Sequence, residues 1–89
     1  MSVTHTMTVQ DPIGLHARPV GQIVALVRES GVAVTLRDSS GKEASGSSAL
    51  KMLAMKVKHG DTLEIVVESE DDAAGLSLAE AVEALVNEG

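Results

Sequence analysis

A histidine and an arginine stand two residues apart within Gly14-Leu15-His16-Ala17-Arg18-Pro19. An imidazole is a nucleophile, and either of its nitrogens can carry a proton or a new bond. A guanidinium beside it is a permanent planar cation whose donors match phosphate oxygens. Gly14 and Gly21 lie close by, and Pro19 suits the first turn of a helix because its missing N–H has no intrahelical partner there. A helix start also leaves backbone N–H groups free and favours anions through its partial positive field. The free donors near Ala17 and Arg18 would face the same way as His16. These parts can together accept and hold a phosphoryl group. A histidine at a helix start, taken alone, is more often a surface or capping residue, so the spacing to Gly14 and Arg18 carries the reading.

The elements that would position this stretch are legible on either side of it. Val3, His5, Met7 and Val9 alternate with Thr4, Thr6 and Thr8, which predicts a strand over residues 2–9. Asp11-Pro12-Ile13-Gly14 reads as a turn or loop. From Ala17 to Glu29 the period changes to that of a helix, with Ala17, Val20, Ile23, Val24 and Val27 on one stripe and Ser30-Gly31 as the stop. His16 then falls at or just before the helix N-terminus. Val32, Val34 and Leu36 mark a second strand. Asp38-Ser39-Ser40-Gly41 is a hairpin turn, and Lys42–Ser45 runs back as a third strand. Ser47 or Ser48 can cap a short helix reaching Met55, bearing Leu50, Leu53 and Ala54. Leu63, Ile65 and Val67 mark a fourth strand after the turn at His59-Gly60-Asp61. A last helix starts near Ser69–Asp72, with Leu78, Val82, Leu85 and Val86 inward and Gly75 weakening its first turns. The order β-α-β-β-α-β-α, with one apolar face per strand, predicts a two-layer α+β domain: an antiparallel sheet with its helices packed on one side.

Composition narrows the functions open to such a domain. With 89 residues, one domain over 1–89 is expected. The chain has no Phe, Trp or Tyr, so it offers no base-stacking platform, and its net charge of −6 opposes a polyanion. Nucleic acid is therefore not expected as a partner. Cysteine is absent, which removes disulfides, thiolate metal sites and cysteine nucleophiles. The three histidines His5, His16 and His59 are far apart and lack ligand spacing, so neither a metal nor a cofactor is expected. His5 reads as a partly buried or edge strand residue and His59 as an exposed turn residue. No basic-then-apolar leader and no apolar run of membrane-spanning length occurs, which makes a cytoplasmic location the default and membrane insertion unexpected. A monomer is the default state.

Gly14-Leu15-His16-Ala17-Arg18-Pro19 resembles the active-site signature of HPr, the histidine-containing phosphocarrier family of the bacterial phosphoenolpyruvate:sugar phosphotransferase system. The resemblance extends along the chain, through Gly41-Lys42 in the hairpin and Ser47-Ser48-Ala49-Leu50-Lys51 at the second helix. It implies an open-faced β-sandwich, with four antiparallel strands and three helices on one face. It further implies that His16 accepts phosphate on Nδ1 from phospho-Enzyme I and passes it to IIA components of sugar permeases. Arg18 matches the arginine that contacts the phosphoryl group, and the Ala17 and Arg18 backbone N–H groups fall beside it. Ala49, Leu50 and Leu53 fall on the family's partner-docking patch, with Leu53 expected to be the more buried of the two leucines. Ser48 aligns with a serine that some members have phosphorylated as a regulatory switch, which would bring in a serine kinase/phosphorylase as a further partner. Such a protein is a phosphocarrier with a phosphohistidine intermediate rather than a stand-alone enzyme.

The sequence departs from that pattern at three places. Ile13 stands where many members have a small polar residue that reaches the imidazole. Lys56 replaces a frequent glycine after the second helix, and Ser47 replaces a frequent Lys or Arg. Two other roles use the same residues. One is an HPr-like module of a nitrogen-related phosphotransferase branch or of a dihydroxyacetone kinase system, with the same His-Arg site and a different docking face. The other is a regulatory binding protein acting through Ser48, against which the presence of His16 counts.

Overall fold

The computed structural model describes residues 2–88. The elements are β1 (Ser2–Thr8), α1 (Ala17–Ser30), β2 (Val34–Asp38), β3 (Glu43–Ser45), α2 (Ala49–Ala54), β4 (Thr62–Glu68) and α3 (Asp72–Glu88). The four strands form one antiparallel sheet in the order β1-β4-β2-β3.

The register lines up one apolar row after another across this sheet. Val3 pairs with Val67 and Val67 with Val34; His5 pairs with Ile65, Ile65 with Leu36 and Leu36 with Ala44. The inward residues of the central strand β4, Leu63, Ile65 and Val67, are fully buried. Each such side chain contributes about 1.5–3 kcal/mol relative to exposure. The helices cover this face and supply Val20, Ile23, Val27, Met52, Ala79, Val82 and Val86 to the core. The opposite face carries Thr6, Glu64, Arg37 and Glu43 in one cross-strand row. There Arg37 donates to Glu43 at 2.7 Å and to Glu64 at 3.3 Å. The bond to Glu43 is the main reason its guanidinium is held further above its ordinary range.

Alternation set the strands and their faces as expected, and the helix faces were shifted. On α1 the buried stripe is Pro19, Val20, Ile23 and Val27, whereas Ala17 is exposed. Pro19 sits in the first turn and packs inward, so the face begins two residues later than the apolar pattern predicts. Pairing of β2 begins at Val34 rather than Val32, because the Val32 N–H donates to Ser30 Oγ at 3.2 Å and closes the end of α1. Gly31 ends that helix in the left-handed region at φ 70°. At the start of α3 the expected capping role of Ser69 falls to Asp71, whose Oδ1 accepts from the N–H groups of Ala73 (3.0 Å) and Ala74 (3.3 Å). Ser69 Oγ braces Asp71 itself, accepting from its N–H at 3.2 Å. The buried face of α3 is Gly75, Ala79, Val82 and Val86, with Leu78 and Leu85 at its margin.

The end of the sheet where β1 stops is tied by two backbone bonds. Val9 N–H donates to Asp61 O and Gly60 N–H to Val9 O, both at 2.8 Å. This pairing brings the loop after β1 against the turn before β4. The candidate site stands on that junction.

Candidate functional site

His16 is the N-cap of α1, with extended backbone (φ −130°, ψ −178°). Its carbonyl accepts from Val20 N–H at 3.1 Å, the first bond of the helix. Its side chain makes no capping bond, so the ring is free of the structural use that a histidine here would otherwise have. Pro19 has no N–H, and among the described residues the N–H groups of Ala17 and Arg18 have no backbone partner. Two donors are thus left open beside the imidazole. Arg18 is exposed, and among the described residues its guanidinium has no hydrogen-bond or ion-pair partner.

The loop that delivers His16 is held at four points. Leu15 is buried, and its N–H donates to Val57 O at 3.0 Å. Gly14 takes the left-handed conformation at φ 84°, and a Cβ there would lie 2.4 Å from Val57 O. Only glycine allows the two segments to approach this closely. The Gly14 N–H donates to Asp11 O at 3.0 Å, and Asp11 Oδ1 accepts from Ile13 N–H at 2.8 Å. The Asp-Pro-Ile-Gly segment is therefore a turn closed by both the backbone and the side chain of Asp11.

That arrangement sets the two ring nitrogens of His16 apart. Nε2 is buried and has no hydrogen-bond partner among the described residues. Since 26% of the side chain is exposed, the exposed part of the ring lies away from Nε2. A carboxylate oxygen, Asp11 Oδ2, lies 3.9 Å from Nε2, too long for a hydrogen bond and close enough for charge to act. The Asp11 side chain is itself only 8% exposed. Asp11 was invisible to the sequence reading as a site residue, because Asp-Pro in a loop signals only a turn; its burial is a tertiary fact.

The other singled-out residues fall on two elements. Ser48 caps α2, and its Oγ accepts from Lys51 N–H at 3.3 Å. This structural use of Ser48 stands independently of any modification. Met52 is the buried residue of α2, while Ala49 is exposed, Leu50 is 80% exposed and Leu53 is 39% exposed. Leu50 and Leu53 are three apart and so share one side of this helix. Ile13, in the loop before His16, is 70% exposed. His5 lies elsewhere, on β1, where Nε2 bonds Glu83 Oε1 of α3 at 2.7 Å. His59 is exposed in the turn before β4. Among the described residues, no three His, Cys, Asp or Glu side chains gather as a metal site. No described helix is long and apolar enough to cross a membrane.

Residues 3–88 match the family described as "PTS HPr component phosphorylation site". The chain belongs to the HPr family of the phosphotransferase system. It is an HPr-like phosphocarrier. It is 36% identical over 69 residues to the phosphocarrier protein HPr of Lysinibacillus sphaericus, covering 78% of this chain and 77% of that one. It is 29% identical over 89 residues to the phosphocarrier protein NPr of Escherichia coli K12, covering 100% and 96%. It is also 35% identical over 89 residues to a multiphosphoryl transfer protein of Vibrio cholerae, covering 97% of this chain and 22% of the relative. The chain therefore spans about a fifth of the length of that larger relative. The HPr fold itself is seen in the crystal structure of phosphocarrier protein HPr from Bacillus anthracis, which superposes with a TM-score of 0.79 at 24% identity, covering 96% of both chains. A histidine-containing phosphocarrier protein of Mycoplasma superposes with a TM-score of 0.81 at 19% identity, covering 98% of this chain and 100% of that one.

Proposed function

We propose that this phosphocarrier accepts a phosphoryl group on Nδ1 of His16 from phospho-Enzyme I and donates it to IIA components of sugar permeases. The observation that carries the reading is the N-cap placement of His16: Nε2 turned inward, the rest of the ring outward, and open N–H donors at Ala17 and Arg18. In transfer, the Nδ1 lone pair attacks phosphorus while the donor's bond to phosphorus breaks. The incoming phosphoryl oxygens meet the Ala17 and Arg18 N–H groups and the unpaired Arg18 guanidinium, which offset their charge. Ala17 and Arg18 are exposed, and an open site suits a carrier that must release the group. Ala49, Leu50 and Leu53 present the apolar surface on which partners dock, and contact there is brief because each partner must be left after transfer.

A second reading places the chain in the nitrogen-related branch. It is favoured by the relatives named NPr, which align with the whole of this chain. The two readings share the chemistry at His16 and differ in the partners that supply and take the phosphoryl group.

One experiment tests both. The protein is incubated with phosphoenolpyruvate and either the sugar-branch or the nitrogen-branch Enzyme I, and phosphate uptake is followed by mass and phosphorus NMR. An acid-labile, base-stable phosphate is expected on the wild type with one of the two enzymes, and none on His16→Ala. Uptake by His16→Ala would place the acceptor elsewhere, and the preferred enzyme identifies the branch.

A further inference from the structure

We propose that Asp11 is a positioning residue for phosphoryl transfer: its buried carboxylate holds the ring proton of His16 on Nε2 and so keeps Nδ1 as the nucleophile. The proposal deepens the reading of His16 as acceptor and rests on it. Two groups without partners stand next to each other here. Nε2 is buried and makes no hydrogen bond with the described residues. Asp11 Oδ2, 3.9 Å away, makes none with the described residues, since the bond from Ile13 N–H goes to Oδ1. A buried N–H with no acceptor is costly, and the Asp11 carboxylate is the nearby group that can supply the acceptor. A small rotation of the ring brings the two into a charge-assisted hydrogen bond and removes that cost.

The tautomer follows from this pairing. In a neutral imidazole one nitrogen carries the proton and the other a lone pair, and the bond made by one decides the state of the other. A carboxylate accepts and cannot donate, so it selects the proton on Nε2. The lone pair is then on Nδ1. Asp11 is well fixed for this role, because its Oδ1 and carbonyl oxygen already close the turn through Ile13 and Gly14. Ile13 puts no polar atom of its side chain near the ring, and Asp11 is the polar side chain of the Asp11–Gly14 turn.

The same proton serves both directions of transfer. On acceptance, Nδ1 forms the bond to phosphorus, the donor keeps the electron pair of the bond that breaks, and the positive charge left on the ring faces the Asp11 carboxylate. On donation, the P–Nδ1 bond breaks, the pair returns to Nδ1, and Nε2 keeps its proton. The leaving group is then a neutral imidazole rather than an imidazolate. No proton is gained or lost over the cycle.

Asp11→Asn tests this, since the amide keeps the volume and the oxygen that closes the turn. The ring nitrogens of His16 are observed by long-range 1H–15N correlation in the unphosphorylated chain, with His16→Gln for assignment. The wild type should show the proton on Nε2, and D11N a mixture of the two tautomers. The two proteins are then phosphorylated with phosphoramidate, and loss of the phosphohistidine signal is followed by phosphorus NMR. D11N should lose it about tenfold more slowly, the scale of removing a partner that orients a reactive group. A wild-type proton on Nδ1, an unchanged ring spectrum in D11N, or an unchanged rate each overturns the proposal. If D11N does not fold, the wild-type spectrum alone decides. The ring spectrum is recorded before any phosphate is added, so a His16 that takes no phosphate would sink the carrier reading separately.

Discussion

Lys56 holds the left-handed backbone conformation, at φ 56°, that an L side chain adopts at a cost of about 1–2 kcal/mol. It sits at the end of α2, where Met55 N–H donates to Met52 O and Lys56 N–H to Leu53 O, both at 3.2 Å. The next residue, Val57, is buried and holds Leu15 through its carbonyl. Lys56 therefore makes the turn that connects α2 to the support of the His16 loop. Lys56→Gly relieves the side-chain strain and adds backbone freedom to the unfolded chain, and we expect a net gain of about 0.5–1 kcal/mol. Urea denaturation checks this; an unchanged or lower midpoint would show that no strain is stored there. At this scale His16, Arg18 and Gly14 were legible in the sequence because their chemistry is local. The departure at Lys56 was visible, and only the backbone geometry explains why glycine suits the position. Asp11 was not legible, because its carboxylate meets His16 only after the Leu15–Val57 bond and the Gly14 contact have folded the loop inward.

The short helix α2 divides its residues between folding and the exposed face proposed for docking. Six residues are too few to be helical alone, so the cap and the tertiary anchor sustain it. Ser48 is the cap and Met52 the anchor. The sequence pattern brought out Leu50, Leu53 and Ala54 and passed over Met52, since fewer than two turns cannot fix which face is inward. The expected split, with Leu50 the more exposed and Leu53 the more buried, is what the structure has. Opposite outcomes are expected from two substitutions. Ser48→Ala should cost about 1 kcal/mol of stability by losing the bond to Lys51 N–H, with phosphoryl uptake at saturating Enzyme I unchanged. Leu50→Glu should leave the denaturation midpoint in place, because the side chain is already in water, and slow uptake about tenfold by putting a charge into the contact. Stopped-flow transfer kinetics beside urea curves separate the two. If Leu50→Glu transfers at the wild-type rate, docking uses another surface.

At the scale of the whole molecule, α3 closes against the edge strand β1 and joins the two ends of the described chain. His5 bonds Glu83, and Gln10 N–H donates to Asn87 Oδ1 at 2.8 Å. Ahead of both bonds, near the start of α3, Gly75 lies against Val3. By sequence alone Gly75 only weakens a helix, and Gly75→Ala would add about 1 kcal/mol of helix stability. The packing reverses that sign. A Cβ at Gly75 would stand 2.8 Å from Val3 Cγ2 and 3.1 Å from Ser69 Cβ. Val3 is β-branched, so its methyl has few other rotamers to take, and its neighbour Val67 is fully buried. Overpacking of this kind costs about 1–3 kcal/mol, more than the propensity gain. Gly75→Ala should therefore lower stability by about 1 kcal/mol, the difference of the two effects. Val3→Ala removes the opposing methyl groups, so Gly75→Ala should be neutral or stabilising when made in that background. Urea curves of the two single variants and the double variant give the coupling directly. Additive effects would mean that α3 is free to shift away from β1, and that the close approach at Gly75 does not constrain how the domain closes.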